Sequence, residues 1–244
     1  MTKIIAHRGY ATNYPENTLS AFRAALNKGA GAIELDVHML KDGELVVHHD
    51  YSLGNPDNGE GLLLDKDLTY IRSLKVGALE HIPTLSEVFE IIGEKLEYEI
   101  ELKGCSEKFL RKVLALAERY SLMHKIEFTS PHMYILTAAK QINPKVKTGM
   151  FVAPLPAWMD KRLGQMLARQ HAVLGGIDVL HCPIELIDAQ FVDDAHRERL
   201  LVHAADCDTD KDLGIALQAG VDQLSTNNLE LVVEKAAIAS ATGG

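Results

Sequence analysis

Residues 32–49, AIELDVHMLKDGELVVHH, determine how the strands of this chain are counted. Two strand-like runs, 32–37 and 44–49, lie on either side of Asp42-Gly43, and Asp-Gly is a strong signal for a tight turn. Neighbouring parallel strands need a crossover of about a dozen residues, and the segment 39–43 is far shorter than that. We therefore predict that the second run returns as the antiparallel arm of a hairpin on the first.

Strand-like runs alternate with helical patterns along the remaining chain, which is typical of a parallel sheet with crossover helices. The predicted strands are residues 3–7, 32–37, 97–103, 125–129, 147–151, 176–181, 200–204 and 221–225. The predicted helices are residues 18–28, 86–93, 108–120, 134–141, 160–170, 187–197, 210–218 and 229–239. Eight strand–helix units of class α/β predict a (β/α)8 TIM barrel with a hairpin extension after the second strand. A doubly wound open sheet is the alternative, although the chain lacks the GxGxxG turn that favours it.

The length of 244 residues and the hydrophobic content of 47% favour one large core. Residues 1–244 are therefore predicted to form a single barrel domain. The segment 51–83 is the exception, because its run 54–61 is rich in turn-forming residues and argues against regular structure. We expect a short loop insertion there that lies over the barrel mouth.

The formal net charge of −9 argues against the basic surface of a nucleic-acid-binding protein. No stretch approaches the roughly 18 apolar residues of a membrane span. His7-Arg8 interrupts the apolar run at the N-terminus, unlike a signal peptide. The three cysteines lack CxxC spacing, which argues against a disulfide framework and a structural zinc site. We predict a cytoplasmic protein without a nucleic-acid partner or a membrane span, and leave open whether it forms a homo-oligomer.

Several charged side chains are predicted at the C-terminal ends of the strands, where barrels of this kind carry their active sites. Because side chains alternate faces along a strand, Glu34 and Asp36 share one face, as do Glu99, Glu101 and Lys103. Carboxylates that converge repel each other unless a positive group lies between them, and Mg²⁺ or Ca²⁺ is the simplest such group. Carboxylates that face water or pair with lysine remain the alternative.

Two histidines stand at strand ends beside these carboxylates, His7 after the first strand and His49 after the hairpin arm. They are candidates for acid/base chemistry because imidazole titrates near neutral pH. We expect a structural role for His38, His48, His81, His124, His132, His171 and His196.

A set of short motifs occupies the first part of the chain in a definite order. They are His7-Arg8-Gly9, Pro15-Glu16-Asn17-Thr18, Glu34-Leu35-Asp36-Val37, Lys41-Asp42-Gly43, Val46-Val47-His48-His49-Asp50, Ile82-Pro83-Thr84-Leu85 and Glu101-Leu102-Lys103. In order and spacing this set resembles the glycerophosphodiester phosphodiesterase family, and the ordered set is far more specific than any one of its members. After Lys103 the resemblance is confined to fold-level features.

The resemblance implies a catalytic barrel of the phosphatidylinositol phospholipase type. It implies metal-dependent hydrolysis of a small-molecule glycerophosphodiester to glycerol 3-phosphate and an alcohol. The matching positions are Glu34, Asp36 and Glu101 for the metal, His7 and His49 for general acid/base catalysis, and Arg8 and Lys103 for phosphate binding. Glu16 matches a further position, and its place before a predicted helix gives it a supporting role.

Two stretches depart from the pattern of the family. Residues 55–59 read Asn-Pro-Asp-Asn-Gly instead of Arg-Thr-Thr-Asn-Gly, so a cation is missing. Residues 205–208 read Ala-Asp-Cys-Asp instead of Trp-Thr-Val-Asn, so an aromatic side chain for the alcohol is missing. His203, Asp206 and Asp208 either line a polar pocket for another head group or belong to a turn. The departures put the alcohol specificity in doubt and leave the phosphate chemistry intact.

Two other functions stay open. One is a phospholipase-like or cyclising phosphodiesterase, a lyase acting on a related phosphodiester. The other is a catalytically silent binding module on the same fold, against which the filled histidine and carboxylate positions count. The leaving alcohol and the native metal, Mg²⁺ or Ca²⁺, are undecided by the sequence.

Overall fold

A closed barrel of eight parallel strands lies at the centre of the computed structural model, which describes residues 2–54, 58–77, 80–233 and 235. The strands are β1 (Lys3–Ala6), β2 (Ala32–Met39), β3 (Leu45–Val47), β4 (Ser52–Leu53), β5 (Gly61–Leu62), β6 (Glu97–Leu102), β7 (Ile126–Ser130), β8 (Lys147–Phe151), β9 (Val179–Cys182), β10 (Leu201–Ala204) and β11 (Gln223–Thr226). The barrel order is β1, β2, β6, β7, β8, β9, β10, β11, and β1 closes the ring by pairing with β2 and β11. The predicted (β/α)8 TIM barrel is confirmed, and the open sheet is wrong.

Helices connect the strands on the outside of the barrel. They are α1 (Leu19–Asn27), α2 (Leu68–Ser73), α3 (Leu85–Ile92), α4 (Glu107–Arg119), α5 (Met133–Ile142), α6 (Lys161–Gly175), α7 (Ala189–Arg197) and α8 (Asp210–Ala219). Residues 229–233 are also helical, and the last part of the predicted helix 229–239 falls outside the described residues. Most of these helices begin at a Ser, Thr or Asp whose side chain accepts a hydrogen bond from the first turn. Among the described residues, none of the helices combines the length and the apolar character that a bilayer crossing requires.

The predicted hairpin is present. β3 runs antiparallel to β2, with Val47 opposite Val37 and Leu45 opposite Met39. Gly43 in the connecting turn has a φ of +91°, a backbone conformation that side chains with a Cβ rarely adopt. Beyond β3, the backbone N–H of His48 donates to the carbonyl of Asp36 at 3.0 Å. The hairpin therefore returns the chain to the C-terminal end of β2.

The segment 51–83 is more regular than its composition predicted. It contains the antiparallel pair β4 and β5 as well as α2, and residues 55–57, 78 and 79 lie outside the described residues. It has a small apolar cluster of its own, formed by Leu40, Val46, Leu53, Leu63, Ile71, Leu74, Val76 and Ile82. Regular elements form around the turn-rich run 54–61 because these spaced apolar side chains pack on the hairpin, on the face of β3 opposite Val47.

The barrel strands bury apolar side chains toward the helices and polar ones toward the barrel axis. On β2, Ile33, Leu35 and Val37 belong to the main hydrophobic core, and the alternating Glu34 and Asp36 are buried as well. Parallel register then brings carboxylates side by side, because Glu34 lies opposite Glu99 and Asp36 lies opposite Glu101. The barrel interior therefore contains two layers of ionisable side chains. The upper layer, nearest the C-terminal mouth, consists of Glu34, Asp36 and Glu101 with Arg8 and Lys103.

The lower layer is an interior cluster made of Glu99, Glu127, Lys147, His181, His203 and Gln223. His181 lies between two carboxylates, with Nε2 at 2.6 Å from Glu127 and Nδ1 at 3.3 Å from Glu99. Lys147 Nζ pairs with the other oxygen of Glu127 at 2.9 Å. Burial alone would lower the pKa of His181, but the adjacent Glu99 and Glu127 outweigh burial and raise it. His181 and Lys147 thus supply positive charge against Glu99 and Glu127, although burial still raises the pKa of Glu99 to about 7.

Gly149 on β8 leaves the space that this cluster fills. A Cβ at Gly149 would come within 2.6 Å of Glu127 Oε1 and would also strike the imidazole of His181. Both side chains are buried and held by hydrogen bonds, so neither can move aside without losing a partner. We predict that Gly149→Ala lowers the free energy of unfolding by about 1–3 kcal/mol, the usual cost of an overpacked core.

The matched control for this prediction is Gly214→Ala in α8, where the added Cβ has no heavy atom within 4 Å apart from its chain neighbours and the backbone of its own helix. That variant is expected to stabilise the protein by up to about 1 kcal/mol, because alanine favours a helix over glycine. Urea unfolding followed by circular dichroism measures both changes. Equal stability of Gly149→Ala and the unsubstituted protein would contradict the packing argument.

Candidate active site

The C-terminal mouth of the barrel collects the charged side chains that the sequence placed at strand ends. Glu34 and Asp36 project from β2 and Glu101 from β6, and candidate metal-binding oxygens of all three lie within 4.8 Å of one another. His7 and Arg8 directly follow β1, and Lys103 directly follows β6. The parallel register between β2 and β6 produces this convergence, since it places Asp36 beside Glu101.

Asp36 is the most enclosed of the three carboxylates. Its oxygens contact Lys103 Nζ at 3.0 Å and Arg8 Nε at 3.6 Å, and the amide of Asn17 donates to Oδ2 at 2.8 Å. Burial acts to raise the pKa of Asp36, but Lys103, Asn17 and Arg8 outweigh it and lower the pKa. Asp36 is therefore an ionised carboxylate at neutral pH and anchors both cationic side chains.

Glu34 and Glu101 lack such full compensation. Burial raises the pKa of Glu34 well above its usual value, and Asp36, Glu99 and Glu101 raise it further. Burial and the charge of Asp36 raise the pKa of Glu101 to about 7, although Lys103 lies 2.9 Å from its Oε1. Both carboxylates would be stabilised in their charged form by additional positive charge.

The upper layer fits a hard divalent cation. Two cationic side chains, Arg8 and Lys103, face Glu34, Asp36 and Glu101, and Arg8 also binds both oxygens of Glu16 at 3.0 Å. When ionised, the four carboxylates of Glu16, Glu34, Asp36 and Glu101 carry four negative charges, and two cationic side chains offset two of them. One divalent cation would neutralise the remaining two. The three buried donors are all oxygens, the ligands that Mg²⁺ and Ca²⁺ prefer.

A second group with metal-binding geometry lies in the interior cluster, where donor atoms of Glu99, His181 and His203 also fall within 4.8 Å of one another. Its nitrogen donors suit transition metals better than Mg²⁺ or Ca²⁺. Its carboxylate already lies 3.3 Å from His181 Nδ1, and His181 in turn binds Glu127. The upper layer is therefore the better site for a hard cation.

The two candidate acid/base histidines lie at the edges of the upper layer. His7 Nε2 is 3.8 Å from Glu34 Oε2, and its Nδ1 is 2.9 Å from the side-chain oxygen of Asn227. His49 is half-buried, with Nδ1 at 2.8 Å from Asp50 Oδ1, and its charge contributes to lowering the pKa of Asp36. Each ring thus has Nδ1 engaged by a side-chain oxygen of a neighbouring residue.

The loop after β1 holds its residues in an uncommon backbone conformation. Arg8 and Asn17 have φ values of +54° and +56°, in the left-handed region that residues other than glycine rarely adopt. The backbone N–H of Arg8 donates to Glu34 Oε2 at 2.9 Å, and Asn17 N–H donates to the Arg8 carbonyl at 3.0 Å. These hydrogen bonds offset the cost of the strained backbone and hold the loop against the carboxylate of Glu34.

Three candidate residues in and after β10, namely His203, Asp206 and Asp208, occupy different environments. His203 is only 1% exposed and stacks on His181 inside the barrel, with ring centroids 4.0 Å apart, so its placement in a head-group pocket was wrong. The Asp206 side chain is 66% exposed and its Oδ1 lies 3.6 Å from His7 Nδ1. Asp208 faces residues 226 and 227, to which it is bound through both carboxylate oxygens.

Sequence analysis did not identify His181, Asn17 or Asn227 as part of this region. Asn17 belongs to the quoted Pro15–Thr18 motif, where helix-start chemistry explained it equally well. His181 lies within β9 and Asn227 follows β11, and no local pattern marks either one. The closed ring sets β11 beside β1, and the barrel interior brings His181 to Glu99 and Glu127 on strands that are not its neighbours.

Comparison with known proteins supports one family. The pattern of the glycerophosphoryl diester phosphodiesterase family matches residues 7–231. A glycerophosphodiester phosphodiesterase of Bacillus altitudinis is 31% identical over 243 residues, which cover 93% of this chain and 95% of that protein. One from Caldanaerobacter subterraneus subsp. tengcongensis is 40% identical over 164 residues, 61% of this chain and just under two thirds, 66%, of that relative.

Solved structures show the same fold. A glycerophosphodiester phosphodiesterase from Agrobacterium tumefaciens superimposes with a TM-score of 0.81 at 23% identity, covering 96% of this chain and 100% of that one. A phosphodiesterase from Oleispira antarctica, solved in complex with the product sn-glycerol-3-phosphate, has a TM-score of 0.84 at 24% identity and covers 97% of each chain. Given the match over residues 7–231 and the relative from Bacillus altitudinis, this chain belongs to the glycerophosphodiester phosphodiesterase family.

Proposed function

We propose that this enzyme hydrolyses glycerophosphodiesters to glycerol 3-phosphate and an alcohol, with a divalent cation, Mg²⁺ or Ca²⁺, held by Glu34, Asp36 and Glu101. The observation that carries the proposal is the convergence of these three buried carboxylates at the barrel mouth, beside Arg8 and Lys103. The names of the relatives support the substrate class, and the product in the Oleispira antarctica structure supports the glycerol 3-phosphate half.

The phosphate of the substrate is bound at the upper layer by positive charge. A phosphodiester monoanion resists attack because its oxygens repel a nucleophile, so negative charge must be stabilised as the bond breaks. When bound, the divalent cation supplies part of that stabilisation. Arg8 and Lys103 donate hydrogen bonds to the nonbridging oxygens, and their contacts with Asp36, Glu16 and Glu101 hold their nitrogens at the mouth.

His7 and His49 act as the acid/base pair. One imidazole removes the proton from the attacking oxygen, which belongs to water or to the glycerol hydroxyl of the substrate, and the other protonates the alkoxide that leaves. If the glycerol hydroxyl attacks, the product is a cyclic phosphate, which water then opens to glycerol 3-phosphate. His7 is positioned for this by its contact with Glu34, and His49 by the hairpin that returns β3 to β2. Both rings are partly exposed, which leaves one side of each ring open to a substrate.

We predict that His7→Ala and His49→Ala each lower kcat/KM by about 10²–10⁴, because a positioned general acid or base contributes that much to the rate. Steady-state hydrolysis of glycerophosphocholine followed by ³¹P NMR measures the loss and identifies glycerol 3-phosphate or a cyclic phosphate as the product. Circular dichroism is expected to be unchanged.

His124→Ala is the matched control for the histidine variants. His124 is exposed and lies just before β7, at the N-terminal end of the barrel. It is expected to retain full activity. Activity of His7→Ala or His49→Ala equal to that of His124→Ala would reject the acid/base assignment.

We predict that exhaustive chelation abolishes hydrolysis and that Mg²⁺ or Ca²⁺ restores it. Glu101→Gln is expected to weaken cation binding by about tenfold or more in isothermal titration calorimetry, because even partners outside the ligand shell contribute that much. Glu118→Gln, on the exposed face of α4, is the matched control and is expected to bind as the unsubstituted protein does.

Two results would contradict parts of this proposal. Full activity after chelation would remove the cation from the mechanism. Cation binding without turnover of glycerophosphocholine, glycerophosphoethanolamine or glycerophosphoglycerol would favour the silent binding module over the enzyme.

A further inference from the structure

A chain of hydrogen bonds connects His7 to a carboxylate outside the upper layer. His7 Nδ1 lies 2.9 Å from the side-chain oxygen of Asn227, whose amide nitrogen donates to Asp208 Oδ2 at 2.7 Å. Asn227 directly follows β11 and Asp208 lies four residues beyond the end of β10, so the chain links the ends of three neighbouring strands. We refer to Asp208 and Asn227 together as the Asp208–Asn227 relay.

Asp208 is fixed in place before it contacts the amide. Its Oδ1 accepts hydrogen bonds from the Asn227 backbone N–H at 2.6 Å and from Thr226 Oγ1 at 3.0 Å. Both carboxylate oxygens are thus engaged by residues at the end of β11. These hydrogen bonds hold Oδ2 of Asp208 toward the side-chain amide of Asn227.

The relay determines which way the Asn227 amide points. An ionised carboxylate only accepts hydrogen bonds, so the NH₂ group of the amide must face Asp208. The carbonyl oxygen of the amide must then face His7. The orientation of Asn227 follows from the chemistry of its partner.

The orientation of Asn227 in turn determines the proton position on His7. A carbonyl oxygen accepts but cannot donate, so Nδ1 of His7 must carry a hydrogen. The carboxylate of Asp206 is too far for a hydrogen bond, with Oδ1 3.6 Å from the same nitrogen, but its negative charge favours the same arrangement. In the neutral ring the lone pair is then on Nε2, the nitrogen 3.8 Å from Glu34 Oε2 and facing the upper layer.

We propose that Asp208 and Asn227 are positioning residues that hold His7 in its Nδ1–H tautomer, so that His7 exchanges protons with the substrate at Nε2. This rests on the proposed acid/base role of His7. When His7 acts as a base, the proton of the attacking hydroxyl moves to the Nε2 lone pair, and the resulting imidazolium keeps its Nδ1–H bond to Asn227. When it acts as the acid, with His49 as the base, His7 begins as the imidazolium, gives its Nε2 proton to the leaving oxygen and ends as the neutral Nδ1–H ring.

The tautomer of His7 is measured directly by ¹⁵N NMR of histidine-labelled protein with Mg²⁺ present, in the neutral form of the ring. The His7 signals are assigned by their absence from the His7→Ala spectrum. We expect a protonated Nδ1 and an unprotonated Nε2 in the unsubstituted protein. Observation of the Nε2–H tautomer would overturn the proposal.

Two variants break the relay in different ways. In Asp208→Ala the carboxylate that accepts from the Asn227 amide is removed, so Asn227 is no longer held in one orientation. In Asn227→Ala the acceptor for Nδ1 is removed. Both variants are expected to shift the His7 signals toward a mixture of tautomers and to lower kcat by a factor between about 10 and 10⁴, with KM little changed; the upper limit corresponds to a wrong tautomer imposed outright.

Asp210→Ala is the matched control, because Asp210 is an exposed acid two residues from Asp208 in the first turn of α8. It is expected to keep both the tautomer and kcat. Retention of the His7 tautomer in both relay variants, or an unchanged kcat despite a mixed tautomer, would overturn the positioning role.

The same measurements separate this proposal from the proposed function. An active His7→Ala variant would reject His7 as a catalytic group, whatever tautomer it has. An inactive His7→Ala variant together with an Nε2–H tautomer would reject the relay alone.

Discussion

Repulsion among carboxylates at the barrel mouth is the constraint on which the rest of the site depends. The register between β2 and β6 sets Glu34 beside Glu99 and Asp36 beside Glu101, and burial raises the cost of each negative charge. Lys103 bridges Asp36 and Glu101, and Arg8 reaches Asp36 from the loop after β1. These contacts stabilise Asp36 but leave the layer short of positive charge, which the proposed divalent cation would supply.

The interior cluster and the upper layer both contain buried carboxylates that repel one another, but they differ in how much positive charge the protein places beside them. In the interior cluster, His181 and Lys147 lie against Glu99 and Glu127, so the protein supplies its own counter-charges. The upper layer has an excess of carboxylates and opens to the mouth. Protein side chains supply the positive charge in the interior cluster, whereas the upper layer keeps an excess of carboxylates that the proposed divalent cation would neutralise.

The loops that follow the strands orient the catalytic candidates more than the strands do. Arg8 and Asn17 adopt left-handed backbone conformations, which the hydrogen bonds to Glu34 and between the two residues hold in place. The hairpin brings His49 to the end of β2, and the Asp208–Asn227 relay brings two further strands to His7. The site is thus assembled from short segments that each depend on a neighbouring strand.

The sequence by itself determined the strand–helix order, the hairpin at Asp42-Gly43 and the family, because alternation, turn residues and ordered motifs are local properties. It also placed Glu34, Asp36 and Glu101 on faces that could converge, because side chains alternate along a strand. Local patterns did not reveal the regular structure in 51–83, whose apolar residues pack only once the hairpin is present. Only the tertiary structure decided the burial of His203, the pairing of His181 with two carboxylates and the contact of Asn227 with His7. Asn227 meets His7 because the ring closes between β1 and β11, and His181 meets Glu99 and Glu127 because strands that are not neighbours face each other across the barrel interior.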